Sequence, residues 1–488
     1  MSKNGGKPSI RRLKTRPRDR NWAMTRMGLS AGAQFAAHTV GNLFRSDDDR
    51  DERNRAFYQQ QAQVLADQLG QLKGSVMKAG QMLSLYGQYF LPPEAVDVLS
   101  SLQDDTAPVD WSFVRPVVEQ QLSAARRAEL EIDERPIAAA SLGQAHRARC
   151  KSDGLELVVK IQYPGVADAI DSDVKTIVRL LWLSKMVPRE LSMDPVIAEV
   201  RDMLRREVDY EHEARATQTF ADRLAGDPRF AVPTVLPEYS GPGVLTMTYE
   251  QGEPLRSQRV LSLPHAQRSR LGQSFIWLFL NEFFDWKMVQ TDPHFGNYRV
   301  RFHDDGPPQL VLLDFGATRH FSAAFVAGYQ DIVAGAVGSD SGRVIAGAES
   351  IGLMSSGFPP DTLDAFVHLC HTIVEPFMIG TDNGPPAELV GERGYRFGKT
   401  DLPRRVTNLM SRAALSRYFR IPPREIVFLH RRMAGAFIAQ TVLDVEWDPR
   451  EMLLDSGRHV VAKVSVLALH TLGGTTRVIG HMLCGLTG

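Results

Sequence analysis

Three polar residues in two short segments have the types and spacing that phosphoryl transfer requires. Asp292 and Asn297 lie five residues apart in QTDPHFGN, and Asp314 ends the apolar run LVLLD and is followed by Phe-Gly. This reaction uses one carboxylate to meet an incoming hydroxyl, and an Asn and a second Asp to hold Mg²⁺. Mg²⁺ takes one or two protein oxygens and completes its shell with water and phosphate oxygens. The order D-x4-N and then Asp-Phe-Gly, seventeen residues later, therefore predicts a phosphoryl-transfer site.

A lysine and a helical glutamate upstream extend this pattern. Lys160 closes LELVVK, an apolar run that is typical of a β-strand. The acidic segment REVDYEHEA (206–214) follows it. A charge run of this kind is usually a solvated helix face, but kinase-like sites pair a strand lysine with a helix glutamate. We therefore expect one of these glutamates to reach Lys160.

The segment that would cover the phosphates lacks the usual glycines. In place of G-x-G-x-x-G, the sequence before Lys160 reads PIAAASLGQAH (136–146). Alanine disfavours positive φ angles and adds methyl groups. We expect a stiffer phosphate-binding loop, formed by Ala138, Ala139, Ala140 and Ser141.

The elements that must position these residues change along the chain. Apolar residues at helical spacing predict a helix from about 53 to 88, and helices continue to about 130. Short β-like runs then alternate with helices, at 155–161, 167–186, 194–224 and 244–249. After about 263 the chain is mainly helical, with a β-rich interruption at about 297–314.

The segments described so far, together with further motifs, resemble the UbiB/ADCK type of atypical kinase, the AarF-like group of ubiquinone biosynthesis. The motifs occur in the family's order over about residues 50–450, and QTDP in place of His-x-Asp is similar to the ADCK branch. The motifs are KAGQ (78–81), AAAS (138–141), VVKIQYPGV (158–166), EVD (207–209), QTDPHFGN (290–297), LLDFG (312–316) and PPREIVFLHRRMAGAF (422–437).

This resemblance implies an α+β, two-lobed protein-kinase-like fold with an N-terminal helical KxGQ extension. It implies that Lys160 contacts the α/β-phosphates of ATP or ADP and pairs with Glu213. Asp292 would be the catalytic-loop aspartate, and Asn297 and Asp314 would hold Mg²⁺.

The resemblance also implies an adenine contact and a regulatory set. Met247 and Tyr249, at the hinge, would lie beside the adenine. The KxGQ helix would fold over the active site, where it would block a protein substrate. Its regulatory residues and the ExD acids that they meet are Lys78, Gln81, Glu207 and Asp209.

Five segments make up the predicted domain organisation. They are a basic tail with a candidate membrane-facing helix (1–52), the helical KxGQ extension (53–130), a kinase-like N-lobe with inserted helices (131–253), a mostly helical C-lobe (254–455) and a C-terminal tail (456–488).

The N-terminal tail carries a membrane hypothesis. Its first 26 residues include nine basic side chains and one acid, and an apolar stretch rich in small residues (27–44) follows. A basic tail before such a stretch fits docking on an anionic membrane surface, and a solvated tail is an equal alternative. Gly28 and Gly32 form a G-x-x-x-G, which leaves room for a homodimer.

Overall composition argues against several classes of protein. The 57 Lys+Arg balance 57 Asp+Glu, which gives no support for nucleic-acid binding. Cys150, Cys370 and Cys484 are too few and too far apart for a disulfide framework or a Cys-type zinc site. Charges interrupt the apolar run 275–289, which predicts a buried core helix, and the apolar end 459–488 is similarly broken. We expect a cytoplasmic protein, peripheral on the inner face of a membrane.

The leading interpretation is a kinase-fold enzyme that binds Mg–ATP or Mg–ADP. It would hydrolyse ATP or phosphorylate a small molecule or lipid in support of isoprenoid quinone synthesis. The quinone link and partner proteins of that pathway come from the resemblance alone. One alternative is a phosphotransferase of the aminoglycoside or choline kinase type, which shares D-x4-N and the metal aspartate but lacks KxGQ with ExD. The other is a nucleotide-gated, lipid-binding scaffold.

Overall fold

The two groups of elements in this computed structural model come from interleaved stretches of the 488-residue chain. The structure describes residues 78–80, 82–83, 108–184, 194–414 and 423–456. One compact unit contains the described chain up to Leu255 together with His294–Thr318, and the other contains Arg256–Pro293 and the described chain from Arg319. The basic tail, the G-x-x-x-G, Gln81 and the C-terminal tail from 457 lie outside the described residues.

A four-stranded antiparallel sheet forms the centre of the first unit. Its strands are β1 (Leu130–Ala139), β2 (Gly143–Cys150), β3 (Glu156–Gln162) and β5 (Val244–Thr248), in the order β1–β2–β3–β5. Strand β3 alternates as a half-buried strand should: Leu157, Val159 and Ile161 are fully buried, and Lys160 points to the opposite face. Strands β1 and β2 were not predicted. In the case of β1 the reason is that it is an edge strand whose charged sequence LEIDERPIAA is mostly exposed.

Five of the helices in the described part of the chain accompany this sheet. They are α1 (Trp111–Gln121), α2 (Ala124–Glu129), α3 (Val166–Ser184), α4 (Asp194–Glu207) and α5 (Tyr210–Arg223). Helix α1, with Val114 and Val118 buried, packs against β3 and β5. The predicted helix 194–224 is in fact two helices, because the Asp209 side chain accepts a hydrogen bond from the backbone N–H of His212 and caps α5.

A second sheet in the first unit joins distant parts of the sequence. Its strands are β4 (Phe230–Ala231), β6 (Glu253–Pro254), β8 (Tyr298–Arg301) and β9 (Gln309–Leu312), in the order β4–β9–β8–β6. Strands β8 and β9 are the β-rich interruption that the sequence predicts. Pairing of β9 with β4 and of β8 with β6 joins residues 294–318 to the first unit. The predicted C-lobe included these residues, and the domain boundaries stay a prediction.

The second unit is mainly helical. Its helices are α6 (Gln258–Leu261), α7 (His265–Leu280), α8 (Ala323–Val337), α9 (Ser341–Ser350), α10 (Pro360–Val374), α11 (Leu402–Ala414), α12 (Arg424–Val442) and α13 (Arg450–Ser456). Its strands are β7 (Met288–Gln290), β10 (Thr318–His320) at the boundary of the units, β11 (Val390–Gly391), β12 (Gly394–Arg396) and β13 (Glu446–Trp447). No helix in the described part of the chain combines the length and the apolar character needed to cross a membrane.

The end of α7 differs from the predicted core helix 275–289. After Leu280 the chain makes one π-helical turn, Asn281–Asp285, and it then enters β7. The predicted helix is therefore buried as expected, but its predicted end at residue 289 is wrong, because the α-helix ends at Leu280. Phe283, within the π turn, is fully buried, and its ring makes edge contacts with Phe321 and Tyr329.

Candidate functional site

Lys160 lies at the centre of a cluster of three charged residues in the first unit. Its Nζ atom donates to a carboxylate oxygen of Glu213 and, at 2.9 Å, to Oδ2 of Asp314. The side chain of Glu213 is 5% exposed, and that of Asp314 is 36% exposed. One ammonium group therefore joins β3, α5 and the segment that follows β9.

Helix α5 brings Glu213 to Lys160. Lys160 pairs across the sheet with Leu245, and both lie on the face that α5 covers. Leu245 and Met247 pack with Tyr210, at the first position of α5, in one buried cluster. Glu213 follows Tyr210 by one helical turn, so the packing of Tyr210 places its carboxylate above Lys160.

Helix α5 also fixes the position of Phe315, the residue that follows Asp314. Phe220 is seven residues after Glu213 and shares its helix face. The ring of Phe220 lies 4.6 Å from that of Phe315, centroid to centroid, and both rings are buried. Oδ1 of Asp314 accepts the backbone N–H of Gly316 at 3.0 Å. Asp314 is thus held at Lys160 by a buried aromatic contact and a backbone hydrogen bond.

Burial and mutual charge together determine the protonation of this cluster. Burial alone would lower the pKa of Lys160, but the charges of Asp314 and Glu213 raise it above its usual value. Burial raises the pKa of Glu213 to about 7, with the charge of Asp314 acting in the same direction and Lys160 opposing. Burial would also raise the pKa of Asp314, but Lys160 holds it below its usual value. Because two carboxylates share one ammonium group, the cluster favours a further cation.

Asn297 and Asp314 lie at the same end of the β8–β9 hairpin. Asn297 directly precedes β8, and the backbone N–H of Leu313, directly after β9, donates to its carbonyl at 2.9 Å. An amide oxygen and a carboxylate are hard donors of the kind that Mg²⁺ prefers. Nowhere in the described ranges do three or more His, Cys, Asp or Glu side chains group as a metal site. A two-residue set fits Mg²⁺, because this ion completes its shell with water and phosphate oxygens.

Asp292 belongs to the second unit and contacts helix α12. Its Oδ1 atom accepts a hydrogen bond from Arg431 at 2.6 Å, and its backbone N–H donates to Oε1 of Gln290 at 3.2 Å. The side chains of Asp292 and Arg431 are 24% and 33% exposed. Arg431 lies within the PPREIVFLHRRMAGAF motif, but its contact with Asp292 was not predicted.

The predicted regulatory residues are brought together only in part. Nζ of Lys78 forms an ion pair with Glu207, at the end of α4, at 3.0 Å. Asp209, predicted as a second partner, accepts the backbone N–H of His212 at 2.8 Å. Gln81 lies outside the described residues. The structure therefore pairs Lys78 with Glu207 and shows Asp209 as a helix cap.

A match to a known family covers most of these positions. Residues 101–347 match the family model described as "ABC1 atypical kinase-like domain". This chain belongs to the ABC1 atypical kinase-like family. The match includes Lys160, Glu213, Asp292, Asn297 and Asp314, and the UbiB/ADCK resemblance is thereby confirmed. Lys78 and Arg431 lie outside the matched range.

Curated relatives agree with this membership, and a solved structure shares the fold. The ABC1 chain is 31% identical over 418 residues to "Atypical kinase coq-8, mitochondrial" of Caenorhabditis elegans, covering 84% of this chain and 53% of that protein. It is 30% identical to "Atypical kinase COQ8, mitochondrial" of Saccharomyces cerevisiae, covering 84% of this chain and 76% of that protein. It thus spans about half the length of the worm relative.

The solved structure is that of the Rv3197–erythromycin complex from Mycobacterium tuberculosis. It matches with a TM-score of 0.55 at 24% identity, over 84% of this chain and 98% of that chain. This likeness concerns the fold alone. With the family match, it confirms the predicted kinase-like α+β fold.

The alanine-rich segment of the ABC1 chain forms a strand end and a tight turn. Ala138 and Ala139 end β1, and the backbone N–H of Ala140 donates to the carbonyl of Gly143 at 2.8 Å. Ser141 is buried at 1% exposure. Gly143 permits the close approach of β2 to β3, since a Cβ there would lie 2.6 Å from the carbonyl oxygen of Ile161. Phosphate binding by this turn stays a prediction.

The two residues predicted beside the adenine lie in different surroundings. Met247 is 3% exposed and packs in the cluster beneath α5 with Tyr210. Tyr249 follows β5, and the guanidinium group of Arg147 lies 4.1 Å from its ring centroid. Arg147 in turn donates to Glu156 at 2.9 Å. The contact of Arg147 with Tyr249 was not predicted, because the position of Arg147 opposite Val158 becomes evident only from the pairing of β2 with β3.

Proposed function

We propose that this ABC1 chain binds Mg–ATP or Mg–ADP and catalyses phosphoryl transfer. The observation that carries the proposal is the Lys160 cluster, in which one ammonium group bonds both Glu213 and Asp314. A kinase-like site requires the strand lysine, the helix glutamate and the Asp of Asp-Phe-Gly to be in place together. The bonding of Lys160 to Glu213 and Asp314, and the position of Asn297 at the same hairpin end as Asp314, support this proposal.

Each residue has a proposed role in this reaction. Lys160 binds phosphate oxygens and is kept protonated by its carboxylate partners. Asn297 and Asp314 hold Mg²⁺, which when bound neutralises charge on the transferred phosphoryl group. Asp292 orients the attacking hydroxyl or water and accepts its proton.

The Lys78–Glu207 ion pair supports a regulatory role for the KxGQ segment. The bond from Lys78 to an acid at the end of α4 ties this segment to the rest of the first unit. We propose that the segment is autoinhibitory and that it disfavours protein substrates, so that the acceptor is a small molecule, a lipid or water.

The relatives supply the proposed biological setting. The worm and yeast proteins are named as mitochondrial atypical kinases of the COQ8 type. The UbiB/ADCK resemblance extends this to support of ubiquinone biosynthesis, with proteins of that pathway as partners. We propose that this ABC1 chain acts there as a peripheral protein on the inner face of a membrane, where its basic N-terminal residues meet anionic lipid.

Hydrolysis of ATP by the purified full chain tests this function. Wild-type protein should turn over ATP with Mg²⁺ and not with EDTA, and Asp292→Asn should lower kcat by about 100-fold or more because the proton acceptor is lost. Lys160→Met should also lower turnover, because the ammonium group proposed to bind phosphate oxygens is lost. Lys151→Met is its matched control, since Lys151 is an exposed lysine whose Nζ donates to the carbonyl of Ala128. Full biological activity in Asp292→Asn would overturn the enzyme proposal in favour of the nucleotide-gated scaffold.

A further inference from the structure

Helix α12 contacts the Asp292 segment at two points on one helix face. Arg431 donates to Oδ1 of Asp292 at 2.6 Å. One turn later, Gly435 lies so close to Pro293 that an added Cβ would be 2.1 Å from the Cβ of that proline. Residues four apart share a helix face. One face of α12 therefore contacts Asp292 through the guanidinium group of Arg431 and Pro293 through the backbone of Gly435.

A second arginine anchors α12 from its buried side. Nε of Arg432 donates to Oε2 of Glu282 at 2.8 Å, and both side chains are 1% exposed. Glu282 lies in the π turn and also accepts the backbone N–H of Gln290. Breaking such a buried pair is strongly destabilising, because it leaves an uncompensated buried charge. Arg432 therefore fixes the position of α12, and with it that of Arg431.

The Arg431–Asp292 pair has a different energetic character. Both side chains keep about a quarter to a third of their exposure, and ion pairs that stay in contact with solvent contribute little to folding. Stability therefore gives little reason for this pair. What it does supply is orientation, because a planar guanidinium group constrains the direction of the carboxylate that it binds.

We propose that Arg431 is a positioning residue for Asp292. It holds the carboxylate in one rotamer, while Gly435 lets the helix backbone approach closely enough for the arginine to reach. The inference rests on the proposed function, in which Asp292 meets the acceptor hydroxyl. Small misplacements of a catalytic group are costly, so a pair worth little to folding is worth much to turnover.

Kinetics of three variants test this role. Arg431→Gln should lower kcat for ATP hydrolysis by roughly 10- to 100-fold, with the Kd for Mg–ADP unchanged and the unfolding midpoint nearly so. Arg431→Lys should recover part of the loss, because the charge remains but the planar group is gone. Arg424→Gln is the matched control: it removes an arginine of the same helix that contacts its neighbour Glu425 on the surface, and it should leave kcat unchanged.

A double variant separates positioning from a general structural role. If Arg431 acts through Asp292, the pair Asp292→Asn with Arg431→Gln should be no slower than Asp292→Asn alone. Multiplicative losses in the double variant, or equal losses in Arg431→Gln and Arg424→Gln, would overturn the proposal.

Amide hydrogen exchange keeps this test independent of the proposed function. Arg431→Gln should speed exchange in peptides covering 290–294 while leaving the midpoint of unfolding in place, and Arg424→Gln should not. Unchanged exchange in Arg431→Gln would overturn the positioning role even if turnover fell. If the wild-type protein turns over no nucleotide, the proposed function fails, and the exchange comparison still decides whether Arg431 orders the Asp292 segment.

Discussion

Lys160 determines the electrostatics of the candidate site at the scale of single residues. Its ammonium group is shared by Glu213 and Asp314, so neither carboxylate has a full counter-ion of its own. Glu213 is the more buried of the two carboxylates, and burial together with the charge of the nearby Asp314 raises its pKa to about 7. Glu213 therefore changes charge near neutral pH.

This raised pKa predicts a pH-dependent stability. The unfolded chain releases the Glu213 proton near the ordinary glutamate pKa of 4.5, whereas the folded protein keeps it up to about pH 7. The stabilisation from this proton is thus present below pH 4.5 and is lost as the pH rises to about 7. Glu213→Gln lacks the effect, so its unfolding midpoint should rise relative to wild type across this window.

Thermal unfolding of both proteins in EDTA, from pH 4.5 to 8, checks the trend. Glu211→Gln is the matched control, because Glu211 is an exposed glutamate of the same helix. A midpoint difference between Glu213→Gln and wild type that stays constant, or falls as pH rises, would contradict a buried carboxylate with a raised pKa.

Helix α5 is the element on which the site depends. It contributes Glu213 to Lys160 and Phe220 to the contact with Phe315, and Tyr210 packs it onto β5. Its start is set by Asp209, whose side chain accepts the N–H of His212. The ExD motif thus divides between two elements, since Glu207 ends α4 and binds Lys78.

The capping role predicts different effects for two substitutions at Asp209. Asp209→Ala should lower the free energy of unfolding by about 1 kcal/mol, because a helix N–H loses its acceptor. Asp209→Asn should cost much less, since asparagine is an equally good N-cap. Urea denaturation measures both. Equal destabilisation by Ala and Asn would mean that the charge of Asp209, and not its capping oxygen, is what matters.

Much of the whole molecule could be predicted from ordered motifs and apolar patterns. Strands β3 and β5 and the β8–β9 hairpin follow from short apolar runs. The lysine at the end of VVK led to the expectation of a glutamate partner in 206–214, and the choice of Glu213 came from the UbiB/ADCK resemblance. The charged edge strand β1 could not be predicted this way, because an edge strand need not bury alternate residues. Arg431 was missed for another reason: it is 139 residues from Asp292, and no local pattern indicates a contact that depends on tertiary packing.

Thermal unfolding of the full chain is the measurement that decides whether the Lys160 cluster and Asn297 bind a magnesium nucleotide. Saturation at about 100 times Kd should add about 2.7 kcal/mol of stability, which is a rise of at least a couple of degrees. The rise should require Mg²⁺ and should vanish in Asp314→Ala. The matched control Asp305→Ala, an exposed acid in the β8–β9 loop, should keep it. A midpoint that Mg–ATP and Mg–ADP leave unmoved, or a shift that survives Asp314→Ala, would contradict the account.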